Sequence, residues 1–173
     1  MVDHARPADR LTRTVLDPPD PAAPGLPGRI AERAPRVLVL GDAVLDGWVS
    51  GPVHRTGRDG PVPVVELSSG RTAPGGAANA AAALAALGAR VELVATVGDD
   101  EDGRALRRSL EAVGVRTGRC LVDPARPTAA KRRVLAGDPD EQLVARFDVT
   151  PPPPDPATSR AVADRVTAAL AEA

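Results

Sequence analysis

An α/β fold is what the sequence predicts, and four segments carry that expectation. Val37-Leu38-Val39-Leu40 is a short apolar run ending at Gly41, suited to a strand buried on both faces of a parallel sheet. Residues 77–87, rich in Ala and Leu, read as a helix that stops at Gly88, and residues 91–97 read as a second strand that stops at Gly98. Residues 102–113 predict another helix, with Leu106, Leu110 and Val113 at helical spacing. Strand, helix, strand, helix in that order indicates parallel strands joined by right-handed crossovers.

The remaining elements follow in chain order. Residues 1–35 hold Pro7, Pro18, Pro19, Pro21, Pro24, Pro27 and Pro35 among mixed charges, and are expected to form a disordered Pro-rich tail. Residues 36–173 form the domain. Within it, residues 61–67, with Val62, Val64, Val65 and Leu67, follow the first strand with no helix between. Residues 115–122 predict a further strand of the main sheet. Residues 132–136 and 142–147 read as two strands joined by the turn-rich Gly137-Asp138-Pro139-Asp140. Strands without crossover helices form antiparallel ribbons, so these pieces are expected to make a small sheet beside the main one. After Pro151-Pro152-Pro153-Pro154, residues 157–171 predict a final amphipathic helix with Val162, Val166 and Leu170 on one face.

Composition excludes several function classes. The chain has 173 residues, 43% of them hydrophobic, enough for one domain with a substantial core. Its formal net charge is −1, so no basic excess points to nucleic acid. One cysteine, Cys120, rules out an internal disulfide and gives no reason to invoke an oxidising compartment. No long apolar run and no hydrophobic signal core are present, so the expected location is the cytoplasm, away from membranes.

The chemistry concentrates at Pro74-Gly75-Gly76-Ala77-Ala78-Asn79. A glycine pair lets backbone N–H groups approach a ligand closely, and the helix that follows points the positive end of its dipole at it. Asn79, in the first turn, both donates to and accepts from a hydroxyl. That combination suits a polyhydroxylated, anionic small molecule. From Gly75 the order Gly, Gly, Ala, any residue, Asn, any residue, Ala, then Gly88 and Gly98, resembles the first signature of the ribokinase-like (PfkB) carbohydrate kinases. Gly41-Asp42-Ala43-Val44-Leu45-Asp46, Gly51-Pro52 and Pro61-Val62-Pro63-Val64-Val65 are similar to the start of the heptose-7-phosphate kinases, the kinase part of the bifunctional ADP-heptose synthesis enzymes. Pro127-Thr128, Lys131, Arg133, Gln142-Leu143, Arg146 and Asp148 follow in the order of the same subgroup. Gly57 and Asp59 depart from it, standing where serine and glutamate are expected.

The resemblance implies the N-terminal half of a ribokinase-like three-layer α/β/α sheet, with a small β lid from about 50–67 and 128–148 over the sugar. Such a lid is often a homodimer contact. The implied activity is ATP-dependent phosphorylation of a sugar or sugar phosphate. ATP and Mg²⁺ are implied for the complete enzyme, and no residue identified here binds either.

Each candidate residue has its own physical reason. Asp46 is expected just past the first strand, at the carboxyl edge where open α/β sheets bind ligands, and its carboxylate can accept from two sugar hydroxyls. Asp42 shares that reading, with turn formation as the alternative. Gly75, Gly76 and Asn79 hold the sugar, whereas Gly88 and Gly98 end a helix and a strand. Lys131 is the only lysine against twenty-one arginines, which points to a need for a compact ammonium. Lys131 and Arg133, two apart on one strand face, are candidates facing a substrate phosphate, and Arg132 should point the other way. Trp48 and Phe147 are assigned to the core, the sugar site or the lid interface. His4 and His54 stand alone, so no metal site is expected.

The resembled family places its catalytic base in a Gly-x-Gly-Asp turn of the C-terminal half. No Gly-x-Gly-Asp occurs in this sequence. The expectation is therefore a sugar-binding half that lacks catalytic residues and works with a C-terminal half. A non-catalytic sugar-binding or dimerisation module is the alternative. A dinucleotide-binding module is a third reading, disfavoured because the first strand lacks a following Gly-x-Gly-x-x-Gly.

Overall fold

The structure, a computed structural model, describes residues 25–137 and 141–172. Its first element corrects the tail reading. Helix α1, Leu26–Arg33, lies inside the segment expected to be disordered. Pro27 falls in the first turn, where a missing N–H costs nothing, and Ala34 closes the helix in a left-handed conformation with its N–H on Ile30 O. Ile30 packs on the core, and Ala31 lies so close under Gly88 (φ +93°) that a Cβ there would strike it. That apolar contact outweighs the proline content. The part of the tail at residues 1–24, and the turn residues 138–140, fall outside the described residues.

Strand β1, Arg36–Leu40, forms as expected, and β2, Ala43–Gly51, follows at once. β3, Val53–Thr56, and β4, Pro63–Val65, pair as a short antiparallel ribbon. β5, Ser69–Gly76, runs directly into α2, Ala77–Ala86. The expected strand at 91–97 is divided at Ala95 into β6, Arg90–Val94, and β7, Thr96–Gly98. α3, Glu101–Ala112, is followed by β8, Leu121–Asp123. β9, Ala130–Ala136, β10, Gln142–Val149, and α4, Pro156–Ala171, complete the chain.

β1 and β6 pair in parallel from Arg36↔Arg90 to Leu40↔Val94, and β7 pairs in parallel with β8. The strand expected at 115–122 is reduced to a bridge at Arg116 beside Glu92 and the three residues of β8. Both stay alongside β6 and β7 through Arg116 N–H to Val91 O and Leu121 N–H to Ala95 O. Leu93, Leu106, Leu110, Val91, Val94 and Val115 are fully buried between this sheet and the helices. Burying a leucine contributes about 1.5–3 kcal/mol, so these side chains hold the α/β layer together. α2 buries the methyls of Ala78 and Ala81 completely and packs Ala77, Ala82, Leu84 and Ala85 against the same core. On α4 the inward side is Val162, Val166 and Ala169; Leu170, expected there, is 62% exposed because it falls one residue past the i, i+4, i+7 stripe.

The second sheet is mixed, in the order β10-β9-β2-β5. β2 is antiparallel to β5 and parallel to β9, and β9 is antiparallel to β10. It is therefore built chiefly from 43–51, 69–76 and 130–149, and the 61–67 segment expected in it lies in the separate β3–β4 ribbon. No helix among the described residues is long and apolar enough to cross a membrane.

Candidate functional site

Alternation along the four strands of the mixed sheet decides which side chains share a face. The register sets Asp46 of β2 beside Ala73 of β5 and Lys131 of β9, with Asp148 of β10 next in line. Two residues along each strand, the neighbouring row on the same face reads Arg71, Trp48, Arg133 and Arg146. Asp46 thus lies in the middle of β2, and its expected place beyond the end of the first strand is corrected.

Arg133 Nη1 donates to Asp46 Oδ1 at 2.9 Å, a pair with both side chains about a quarter exposed or less. Asp46 also lies over Gly75, where a Cβ would overlap its carboxylate. Gly76 has φ +58°, and a Cβ there would overlap Asp42 O, which accepts from Ala77 N–H at 2.9 Å. The glycine pair is therefore required by the close approach of the end of β5 to Asp46 of β2 at Gly75 and to the β1–β2 turn at Gly76. Arg146 donates through Nε and Nη2 to Asp148 at 2.9 and 2.7 Å. Those hydrogen bonds hold the Asp148 carboxyl below its usual range and raise the Arg146 guanidinium. Trp48 stands between Arg71 and Arg133, whose guanidinium carbons are 4.0 and 5.0 Å from the ring centroid.

Lys131 lines a cavity of about 480 Å³ together with Asp42, Thr96, Arg126, Asp148 and prolines 151–154. Arg126 fixes the proline run, donating to Pro152 O from Nε at 3.0 Å and Nη2 at 2.6 Å. Arg132 points away as expected, donating to both oxygens of Asp102. The structure thus brings Asp46, Gly75 and Arg133 into contact and puts Lys131 beside Asp46 in the same row. Asn79 is exposed on the first turn of α2, makes no side-chain hydrogen bond among the described residues and does not line this cavity. Arg71 and Arg126 carry no mark in the sequence; reading 69–76 as a strand would have found Arg71, by alternation from Gly75.

The arrangement can accept hydroxyl hydrogen bonds at Asp46 and Asp148 and face an anion with Lys131 and the arginines. Among the described residues no three His, Cys, Asp or Glu side chains converge to hold a metal ion.

Comparison with known proteins identifies the family and the fold. The family of pfkB carbohydrate kinases matches residues 35–149. The bifunctional protein HldE of Shewanella denitrificans is 43% identical over 109 residues, 63% of this chain and 22% of that protein. The D-beta-D-heptose 7-phosphate kinase of Bordetella bronchiseptica is 41% identical over 136 residues, 79% of this chain and 41% of that one. The chain thus spans less than half the length of these relatives. Among solved structures, a carbohydrate kinase from Agrobacterium tumefaciens superposes with a TM-score of 0.53 at 25% identity, covering 66% of this chain and 35% of that one. Ribokinase from Arabidopsis thaliana, solved with ribose and ATP, shares the fold at a TM-score of 0.50 and 24% identity, over 64% of this chain and 35% of that one. The fold is ribokinase-like α/β, and the chain belongs to the pfkB family of carbohydrate kinases.

Proposed function

We propose that this chain supplies the sugar-binding part of an ATP-dependent kinase acting on a sugar or sugar phosphate of the heptose 7-phosphate type. One observation carries the reading: Asp46 is held by Arg133 over Gly75, on the same sheet face as Lys131 and beside a cavity of about 480 Å³. A carboxylate oriented in this way accepts from two sugar hydroxyls. The Gly75-Gly76 backbone and Asn79 approach the sugar from the β5–α2 turn, and Lys131 and Arg133 face its phosphate. The mixed sheet serves as the lid. The names of the relatives support heptose 7-phosphate as the substrate type.

Phosphoryl transfer depends on positioning and electrostatic stabilisation, and the residues of this chain serve the first. When bound, ATP with Mg²⁺ supplies the phosphoryl group. The residues that hold that nucleotide and the base that deprotonates the accepting hydroxyl belong, in this proposal, to a C-terminal half.

The test measures binding and ADP release together. Titration calorimetry should detect D-β-D-heptose 7-phosphate, with affinity reduced about tenfold or more by Asp46→Ala or Asn79→Ala, the cost of one unmade buried hydrogen bond. ADP release with ATP and Mg²⁺ should be at background for the 173 residues and appear when a relative's C-terminal half is supplied. Unchanged binding in both variants would remove the site assignment. Asp46-dependent ADP release without the second half would remove the division of labour.

A further inference from the structure

The two rows of side chains on the mixed sheet do not balance their charges. Four cations, Arg71, Arg133, Arg146 and Lys131, share the face with two carboxylates, Asp46 and Asp148. Both carboxylates are taken, by Arg133 and by Arg146. Among the described residues neither Arg71 nor Lys131 has a carboxylate within 4.0 Å, so two positive charges stand uncompensated. Lys131 opens onto the cavity. Arg71 is different, because no family signature or sequence pattern marks it.

Arg71 is exposed, yet its position is determined by the guanidinium lying 4.0 Å from the centroid of the Trp48 ring. Stacking on an indole orients the planar fork without using its N–H groups, which remain free to donate at the rim. No hydrogen bond from Arg71 is made among the described residues, and Arg133, on the same ring, spends one donor on Asp46. A phosphate monoester carries between one and two negative charges at neutral pH and three acceptor oxygens. An oriented guanidinium fork matches it in shape, and the charge left over on the face matches it in sign.

We infer that Arg71 is a specificity-determining residue: it recognises the phosphate of a sugar phosphate whose hydroxyls are held at Asp46, with Trp48 as its platform. This rests on the sugar-binding reading above and names what would let the site prefer a phosphorylated sugar over a free one. Arg71 takes no part in holding the sugar ring.

Trp48 is the only tryptophan of the chain, so its emission reports on this row alone. The experiment titrates the 173-residue protein with D-β-D-heptose 7-phosphate and, separately, with the unphosphorylated heptose, following Trp48 fluorescence and heat. The phosphorylated sugar should bind more tightly and shift Trp48 emission as Arg71 turns from the ring to the phosphate. Arg71→Ala should weaken the sugar phosphate about tenfold, leave the free sugar within twofold, and abolish most of the emission change. Arg71→Lys should recover part of the preference, which a purely packing role would not produce. Melting curves of both variants confirm folding, which a substitution at an exposed side chain should preserve. Equal preference for the phosphorylated sugar in wild type and Arg71→Ala overturns this inference and leaves the sugar-binding reading intact. Equal loss of both ligands also overturns it, and a wild type that binds neither overturns both.

Discussion

Arg132 of β9 reaches across to Asp102 in the first turn of α3, donating from Nη2 to both carboxylate oxygens at 2.6 and 2.5 Å. Among the described residues this is the only ion pair that joins the mixed sheet to the α/β layer. It sits on the opposite face from Asp46, so it can hold the sheet over the core without touching the site. Asp102 lies where the helix dipole already favours a carboxylate. Both side chains are partly exposed, a third for Arg132 and a quarter for Asp102, so the coupling should be about 1 kcal/mol. A double-mutant cycle of Arg132→Ala and Asp102→Ala in urea denaturation measures it; strictly additive losses would show that the pair contributes nothing.

Gly75 is required by its neighbour. A Cβ at position 75 would overlap the Asp46 carboxylate, so Gly75→Ala should push Asp46 out of line with Arg133 and cost about 1–3 kcal/mol of stability. Removing the carboxylate removes the clash. In an Asp46→Ala background the same Gly75→Ala change should therefore be much milder, which thermal denaturation of the four proteins would reveal. An equal penalty in both backgrounds would mean that backbone strain, and not Asp46, demands the glycine.

The elements that were legible in the sequence are those with one strong period. β1 is a plain apolar run, and α3 repeats Leu106 and Leu110 one turn apart, so hydrophobicity alone identifies both. β2 and β5 are hidden in the sequence because the site itself disturbs their pattern. β2 carries Asp46 between buried Leu45 and Gly47, and β5 contains Pro74 and three glycines, a composition that argues against a strand. Pro74 is tolerated because β5 is the edge of its sheet, and Gly75 and Gly76 are present because Asp46 and Asp42 crowd them. The glycine signature thus located the site while hiding the strand that carries it. The Asp46–Arg133 contact joins positions 87 residues apart, and no local pattern encodes a pairing of that kind.

Acid should loosen the junction between β7, α3 and β9. Asp100 caps α3, its Oδ1 accepting from Gly103 N–H at 2.8 Å and from the Thr128 hydroxyl at 2.7 Å, and its Oδ2 accepting from Thr128 N–H at 2.7 Å. The Thr128 hydroxyl in turn accepts from Gly98 N–H. Burial pushes the Asp100 carboxyl up, but the Thr128 and Gly103 hydrogen bonds and the Arg104 charge together outweigh it and hold it below the usual 3.8. A folded value below the unfolded one means that the stabilisation is complete above about pH 4 and is lost as the pH falls through the folded value. Asp100→Asn should cost about 1–2 kcal/mol at neutral pH and make unfolding less steep in pH below 4. Denaturation followed from pH 7 to 2 tests this; identical pH profiles for the two proteins would show that other carboxyls govern acid unfolding.

The remaining prediction concerns β10, the outer strand of the mixed sheet at its far side from β5. Among the described residues β10 pairs only with β9, and its residues from Gln142 to Asp148 are all exposed. Leu143 is 58% exposed, Val144 44% and Phe147 51%, apolar side chains on a strand with one row of unpaired backbone groups. Such an edge is a template for a further strand, and the register shift between Leu143 and Ala145 blunts only its start. We expect two copies to associate through β10, which would cover Phe147 and supply the missing ladder. Phe147→Lys places a charge in that contact and should weaken dimerisation at least tenfold, with little effect on the melting of the α/β layer. Sedimentation velocity across a concentration series decides the matter. Wild type remaining monomeric, or a dimer that Phe147→Lys leaves unchanged, would place any association elsewhere on the molecule.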